Sequence, residues 1–393
     1  MMKARVSTLI LAGLIGSAAA AYFIPAAKVS GDLSKLTPTS AEWKKAKYVD
    51  VVLYPQLTIG FNDKAAEVAM KAAKPVKAKV AALVSDKEIA LNLIWADKSN
   101  SKQTTTSNKS YGDGFAVQFP INLTDPAKLP YIGMGSEGRP VLVYLQKNAE
   151  PLTEPNGNIE HSLRPQSLNL FGDDLKKHQE EAAKSANPDY QRLFIAEGFR
   201  STTEIRGEHN FVMQMHYTNG QWSGTLVRPL NDSHMKVGSV LPAAFAAWDG
   251  GMANRDGAKV LSKWIPIVIT DDAAAKNAVA EINKQAKGDV KHGKKLADEN
   301  CAACHIYPGS SAMANMAPNL SMIGGQATYG YLKESIRDPH AAIVPGYNRN
   351  AHPNTPWYNL EGGKRVSTMP AYDANMLDEK SVEDIITFLQ TLK

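Results

Sequence analysis

Hydrophobic and polar positions divide this chain into two regimes. From about residue 30 to residue 270, apolar residues come in short runs broken by turn-forming residues. Ile89, Leu91, Leu93 and Trp95 alternate with small or polar neighbours, the period-two pattern of a half-buried strand. Runs of the same kind lie at Tyr48–Ile59, Phe115–Phe119, Val141–Leu145, Val240–Trp248 and Trp264–Ile269. Phe211–Tyr217 and Trp222–Val227 flank Asn219-Gly220. Asn-Gly accepts the positive φ of a type I′ turn, so the pair predicts a hairpin. Many short strands predict a mainly β domain, a β-sandwich, over residues 28–270. Asp97–Ser110 reads as a polar loop, and Asp173–Ala186 as a charged, helix-prone surface insertion.

The period then becomes helical. Gly293–Asn300 predicts a short helix. Thr328 can cap a second, which carries Tyr331, Leu332 and Ile336 and stops at Asp338-Pro339. Val382, Ile385, Ile386, Leu389 and Leu392 recur at helical spacing behind Asp378 or Ser381 as N-cap. Residues 288–393 therefore predict an all-α domain. Residues 271–287, rich in Ala, Lys, Asp and Asn, read as a partly helical linker. A tethered domain of this kind is free to swing.

The N-terminus adds a location. Lys3 and Arg5 precede an uncharged run, Val6–Ala27, with an apolar centre at Leu9–Ile15 and small residues at Ser17–Ala21. Residues 1–27 read as a secretory signal peptide cleaved near Ala20 or Ala21. The rival is an uncleaved anchor, because Tyr22, Phe23, Ile24 and Pro25 extend the run to spanning length. Both place the body outside the cytoplasm, in a periplasm-like compartment. Composition changes little. The 393 residues allow two cores, the hydrophobic share of 44% is ordinary, and the net charge of +5 is modest. There is no basic stripe with interleaved aromatics, so nucleic acid is not an expected partner.

The chemistry is concentrated in five residues. Both cysteines of the chain lie in Cys301-Ala302-Ala303-Cys304-His305. This is the attachment pattern of c-type haem: two thiols form thioethers to one porphyrin, and the adjacent His is held under the iron. A structural zinc site would need a second pair of ligands, and a thioredoxin-like pair would not need the His. The second axial ligand should come from the same domain. Met369, in the Ser367–Tyr372 loop ahead of the last helix, ranks first, since a loop far from the motif can reach the opposite haem face. Met313, Met316, Met322 and Met376 compete as thioethers, and His340 and His352 would give a bis-His haem.

The final hundred residues resemble a class I monohaem cytochrome c. The matching pieces are CAACH, Ala317-Pro318-Asn319-Leu320, Tyr331-Leu332 to Asp338-Pro339, Ile343-Val344-Pro345-Gly346, the Met369-Pro370 loop and the terminal helix. The resemblance implies that the Pro318 carbonyl accepts the His305 N–H and fixes its tautomer.

Periodicity alone gives the larger domain no function. Its segments Gly112–Pro120, Ile132-Gly133-Met134-Gly135, Asn219–Trp222 with Arg228-Pro229-Leu230, and Phe245–Gly250 leading to Arg255–Lys259 are similar, in order, to the haem-b (γ) subunit of ethylbenzene dehydrogenase and its relatives among molybdenum enzymes of the dimethyl sulfoxide reductase superfamily. That resemblance implies one noncovalent haem b, held between Met134 and Lys259. Lys263, Met213, Met215 and His216 are the rival ligands. An amine must lose its proton to bind iron, so its pKa has to fall.

Together the resemblances imply a dihaem electron-transfer subunit, with catalysis on a partner chain. Iron–sulfur and molybdopterin subunits would lie on the haem b side, and a soluble cytochrome or membrane oxidase on the haem c side. Joining a b-haem to a c-haem domain is most similar to the γ subunit of nitrite oxidoreductase. Two other functions fit the same residues. One is a monohaem cytochrome carrying a ligand- or carbohydrate-binding sandwich. The other is a haem enzyme with an open iron site.

Overall fold

The computed structural model describes residues 22–60, 64–104, 111–149, 191–198, 201–205, 210–313, 315–352 and 354–393. The expected cleavage sites, the insertion at 173–186 and the end of the polar loop at 105–110 lie outside them.

Among the described residues, thirteen strands build the first domain: β1 (Ile24–Lys28), β2 (Val49–Pro55), β3 (Val76–Val84), β4 (Glu88–Ala96), β5 (Gly114–Pro120), β6 (Val141–Lys147), β7 (Gln191–Ala196), β8 (Thr202–Ile205), β9 (Val212–Thr218), β10 (Gln221–Pro229), β11 (Val240–Trp248), β12 (Val260–Leu261) and β13 (Ile265–Val268). They pair in the order β8-β7-β6-β5-β11-β12-β2-β3-β4-β10-β9, with β1 joining β13 to β3. The two halves of this sheet share one core. Phe115, Val117 and Phe119 of β5 and Phe245 of β11 meet Leu91, Leu93 and Trp95 of β4 and Met213 of β9 there. Asn219 and Gly220 hold positive φ of 49° and 76° in the β9–β10 turn, as a type I′ hairpin requires.

The N-terminal boundary differs from the sequence reading. Residues 24–27 do not belong to a leader or anchor; they form most of β1, parallel to both β13 and β3, and Ile24 is fully buried. An apolar run reads alike whether it enters lipid or a β core, and pairing on both sides assigns it to the core. Among the described residues, no helix is long and apolar enough to cross a membrane.

Between β2 and β3 lies a helix, α1 (Lys64–Ala72), whose Ala66 and Met70 are buried. The second domain is built on α3 (Val290–Asn300), α4 (Tyr329–Arg337) and α5 (Glu379–Leu389). It also carries a hairpin, β14 (Tyr358–Glu361) with β15 (Lys364–Ser367), that the helical period does not announce. Thr328 and Asp378 cap α4 and α5 by accepting from Tyr331 N and Ser381 N. Helices α3 and α5 cross at Gly293, where a Cβ would stand 1.9 Å from the Asp384 carbonyl oxygen, so no larger residue fits.

Asp384 itself ties this crossing. Its carboxylate, 1% exposed, accepts from Asp289 N, Lys380 Nζ and His292 Nδ1, each at 2.7 Å. Burial opposes its charge, yet these bonds outweigh burial and hold its pKa at about 2, below the ordinary 3.8. A carboxyl with a lowered folded pKa stabilises above its unfolded value and loses that contribution as pH falls through the folded one. Asp384→Asn is therefore expected to cost roughly 2 kcal/mol at pH 7, a charge-assisted bond or two. The difference from the parent should shrink as pH falls from 3.8 towards 2. Urea unfolding of the two proteins at pH 7 and pH 2.5 (about midway through that window) checks this, and an equal difference at both would contradict it.

The expected linker is not a free tether. It contains α2 (Ala273–Ile282), capped by Asp272, with Ala275, Val279 and Ile282 buried. Direct contacts also join the domains. Arg139 forms a two-pronged pair with Glu334 of α4 at 2.6 and 2.8 Å, and Gln326 Nε2 donates to Pro55 O at 3.0 Å. Glu137 N donates to Ile343 O at 2.8 Å, and Tyr131 packs on Tyr331 and Tyr347. The second domain is docked, and the swinging motion has no free hinge to use.

Two candidate haem sites

The sandwich buries both faces of β5, β6 and β11, and side-chain alternation sorts them. Phe115, Val117, Leu142, Tyr144 and Phe245 point into the sandwich core. Their neighbours Ala116, Gln118, Val143, Leu145, Ala244, Ala246 and Trp248 line a cavity on the other face. The cavity holds about 1230 Å³ of empty space, its open mouth included. Three alanines on its floor are what makes the room, since larger side chains at those positions would fill it.

Met134 and Lys259 both line this cavity. Met134 stands on the loop after β5 with a left-handed φ of 75°, unusual for a residue with a long side chain. Such a conformation persists only where its surroundings impose it. Three bonds impose it here. Trp264 Nε1 donates to Pro130 O at 2.9 Å, Gln118 Nε2 to Ile132 O at 2.6 Å, and Gly198 N to Met134 O at 2.8 Å. Lys259 leads into β12 and is 5% exposed. Its Nζ lies 5.5 Å from the Trp248 ring centre and 3.4 Å from Asp256 O. Among the described residues, no carboxylate lies within ion-pair distance of it. Burial lowers its pKa to about 8 against a small opposing pull from Asp256, so its proton is easily displaced.

These residues fit haem b. The floor is largely apolar, and a thioether and a readily deprotonated amine supply two donors suited to iron. One further feature favours its propionate edge: Lys147, half-buried on the cavity wall, carries a positive charge. Gln56, whose buried Oε1 has no partner, lines the same cavity. The rival ligands lie elsewhere. Lys263 lines a different cleft, over the Tyr22 ring at 5.1 Å. Met213 is fully buried in the sandwich core, Met215 packs beside it, and His216 is exposed.

In the second domain, α3 delivers Cys301 as its C-cap residue, and the chain turns through Cys304 to His305. His305 Nδ1 lies 2.7 Å from Pro318 O, which leaves Nε2 for iron. Burial lowers the His305 pKa against the opposing pull of Pro318, which favours the neutral, ligating ring. Met369 packs, partly buried, against the same apolar cluster as Cys301. Its competitors are placed less well. Met313 and Met376 are 62% and 58% exposed, and Met316 Sδ accepts from Thr355 Oγ1 at 3.5 Å. Met322 precedes the short turn at Ile323–Gly325. His340 is exposed, with Nδ1 accepting from Ser367 N, and His352 Nδ1 accepts from Asn354 N.

Sequence reasoning missed Gln56, Gln118, Lys147 and Tyr347 on the cavity wall. Gln118 left a trace, a lone amide inside the apolar strand Phe115–Phe119. Tyr347 left none, because it comes from the second domain.

A mainly β domain with a large cavity, docked to a helical domain with a haem-attachment motif, defines a two-domain haem protein. The ethylbenzene dehydrogenase family matches residues 40–260, and the cytochrome c family matches residues 290–393. The chain belongs to the ethylbenzene dehydrogenase family, with a cytochrome c domain joined to it, and carries covalent haem c. It is a haem electron-transfer protein. No curated protein matches it. Among solved structures, a family 9 carbohydrate binding module from Caldicellulosiruptor kristjanssonii, in complex with glucose, matches at 10% identity and a TM-score of 0.31, over 63% of this chain and 97% of that one. A putative carbohydrate-binding protein from Bacteroides uniformis matches at 6% identity and a TM-score of 0.29, over 63% and 91%.

Proposed function

We propose that this chain is the dihaem electron-transfer subunit of an extracytoplasmic molybdenum oxidoreductase. The observation that carries the reading is the placing of Met134 and Lys259 on one alanine-floored cavity, in a chain that also holds His305 ready for haem c. The two haems supply one-electron cycling between ferric and ferrous iron.

The chain's own residues do the rest. Met134 and Lys259 would hold the noncovalent haem b; Cys301 and Cys304 would fix haem c, and His305 and Met369 would supply its two iron ligands. Two protein ligands for each iron leave no position open for a substrate, so the reaction belongs to a partner chain. On the haem b side the partner is an iron–sulfur subunit, itself attached to a molybdopterin subunit. On the haem c side it is a soluble cytochrome or a membrane oxidase. In joining a b-haem domain to a c-haem domain the chain is similar to the γ subunit of nitrite oxidoreductase. An extracytoplasmic location accords with covalent haem attachment and with Lys3, Arg5 and the apolar segment behind them.

Elemental analysis of the complex purified from its native host through this chain tests the partner assignment. Molybdenum in a fixed ratio to the chain is expected, with iron in excess of the two haems. Absence of molybdenum from a complex that retains both haems would refute it.

A further inference from the structure

The two sites are joined by aromatic side chains. Tyr347 belongs to the second domain, yet it lines the cavity of the first. Its ring packs edge-to-face on Trp357, with centres 6.0 Å apart. Trp357 in turn is fastened to both sides of the haem c site. Its Nε1 donates to Asn315 O at 2.9 Å, close before Pro318, and its ring lines a cleft with Ile306, Ala317 and Asn319. Its carbonyl accepts from Thr368 N at 3.1 Å, next to Met369. A single residue thus touches the loop that orients His305 and the loop that carries Met369, and leans on a tyrosine in the wall of the other site.

Docking keeps this arrangement in place. The Arg139–Glu334 pair and the Glu137–Ile343 bond hold the 343–347 segment against the cavity, and Val344 and Tyr347 are buried in the apolar layer between the domains. Chains of packed side chains between fixed elements are the physical means by which two sites are coupled.

We propose that the Tyr347–Trp357 pair is the internal bridge for electron exchange between the cavity and the haem c site. The inference rests on the reading that the cavity holds haem b. The exchange moves one electron. One iron passes from Fe(II) to Fe(III) as the other passes from Fe(III) to Fe(II). No proton moves, no bond forms, and neither ring is oxidised on the way. The rings serve as a close-packed medium between two low-dielectric pockets, which a branched aliphatic side chain replaces poorly.

The test uses the full holo-protein. A flash-generated flavin semiquinone delivers fewer electrons than there are haems, and the redistribution between the haem c and haem b absorption bands is followed in time. In Trp357→Leu, both haem spectra and both midpoint potentials should match the parent, while redistribution slows by about an order of magnitude. A purely structural role for Trp357 would instead lower haem content or move a potential and leave the exchange rate alone. Should Trp357→Leu fail to retain its haems, Trp357→Met, with an unbranched and adaptable side chain, carries the same expectation. Parental exchange in a variant with both haems intact overturns the bridge and leaves the haem b reading standing. A parent protein without haem b overturns both.

Discussion

Lys259→Ala is expected to strip haem b from the purified protein and leave haem c at its parental level. The loss of affinity should exceed the roughly 10–100-fold that removal of an outer partner of a metal ligand costs, because Lys259 supplies a bond to the iron itself. The fold should survive. Lys259 is 5% exposed and, among the described residues, has no carboxylate partner, so its removal takes a poorly compensated charge out of the interior. Thermal unfolding of the apo-protein should therefore show no loss of stability. Lys259→Arg should also fail to bind haem b, since a guanidinium has no free lone pair for iron. Lys263→Ala is the control: Lys263 lines a separate cleft, and its loss should leave haem b in place. Haem b retained in Lys259→Ala and lost in Lys263→Ala would reverse the assignment.

The second large effect concerns the potential of the c-type haem. A thioether on the distal side stabilises ferrous iron, whereas imidazole favours ferric iron and lowers the potential. Met369→His is expected to shift the haem c midpoint downwards by on the order of 0.2 V, within the roughly 0.8 V that axial ligands span. The loop that brings Met369 in is anchored by bonds from Met369 N to Ser367 Oγ and from Thr368 Oγ1 to Pro356 O, at 3.1 and 2.8 Å. An imidazole placed there is held near the same point. Potentiometric titration of the haem c band gives the shift directly, and a midpoint equal to the parent's would remove Met369 from the coordination sphere. Met316→His, whose sulfur already has Thr355 as a partner, should leave the potential unchanged.

The two domains were legible to different degrees, and for physical reasons. The helical domain is written locally. CAACH is contiguous, Thr328 and Asp378 announce helix starts, and the apolar positions of α5 repeat at the helical period. In the sandwich, strands with apolar residues at every second position or a turn signal stood out, as β4 and the β9–β10 hairpin did, although β4 is buried on both faces. Strands β1 and β3 did not. The first looks like the tail of an apolar leader, and the second, Val76–Val84, is rich in Ala and Lys and has no clean alternation. On β5, both faces are buried, so alternation could not separate the core side from the cavity side until the sheet was in place.

The same limit applies to the sites. His305 and Pro318 stand 13 positions apart in one domain, and their contact was within reach of family resemblance. Met134 and Lys259 are distant in sequence, and no spacing rule pairs them; only the ordered resemblance singled them out, and the fold then set them on one cavity. Tyr347 was out of reach of any local pattern. It becomes part of the cavity wall only because α2 and the Arg139–Glu334 pair seat the second domain, where the composition of 271–287 had suggested a tether.

A pyridine haemochrome assay on the purified full-length holo-protein, with carbon monoxide added to a second reduced sample, tests the central claim most directly. Equal amounts of haem b and haem c are expected, together with a native ferrous spectrum that carbon monoxide does not alter. Haem c alone, or ready formation of a carbonyl complex, would contradict the account.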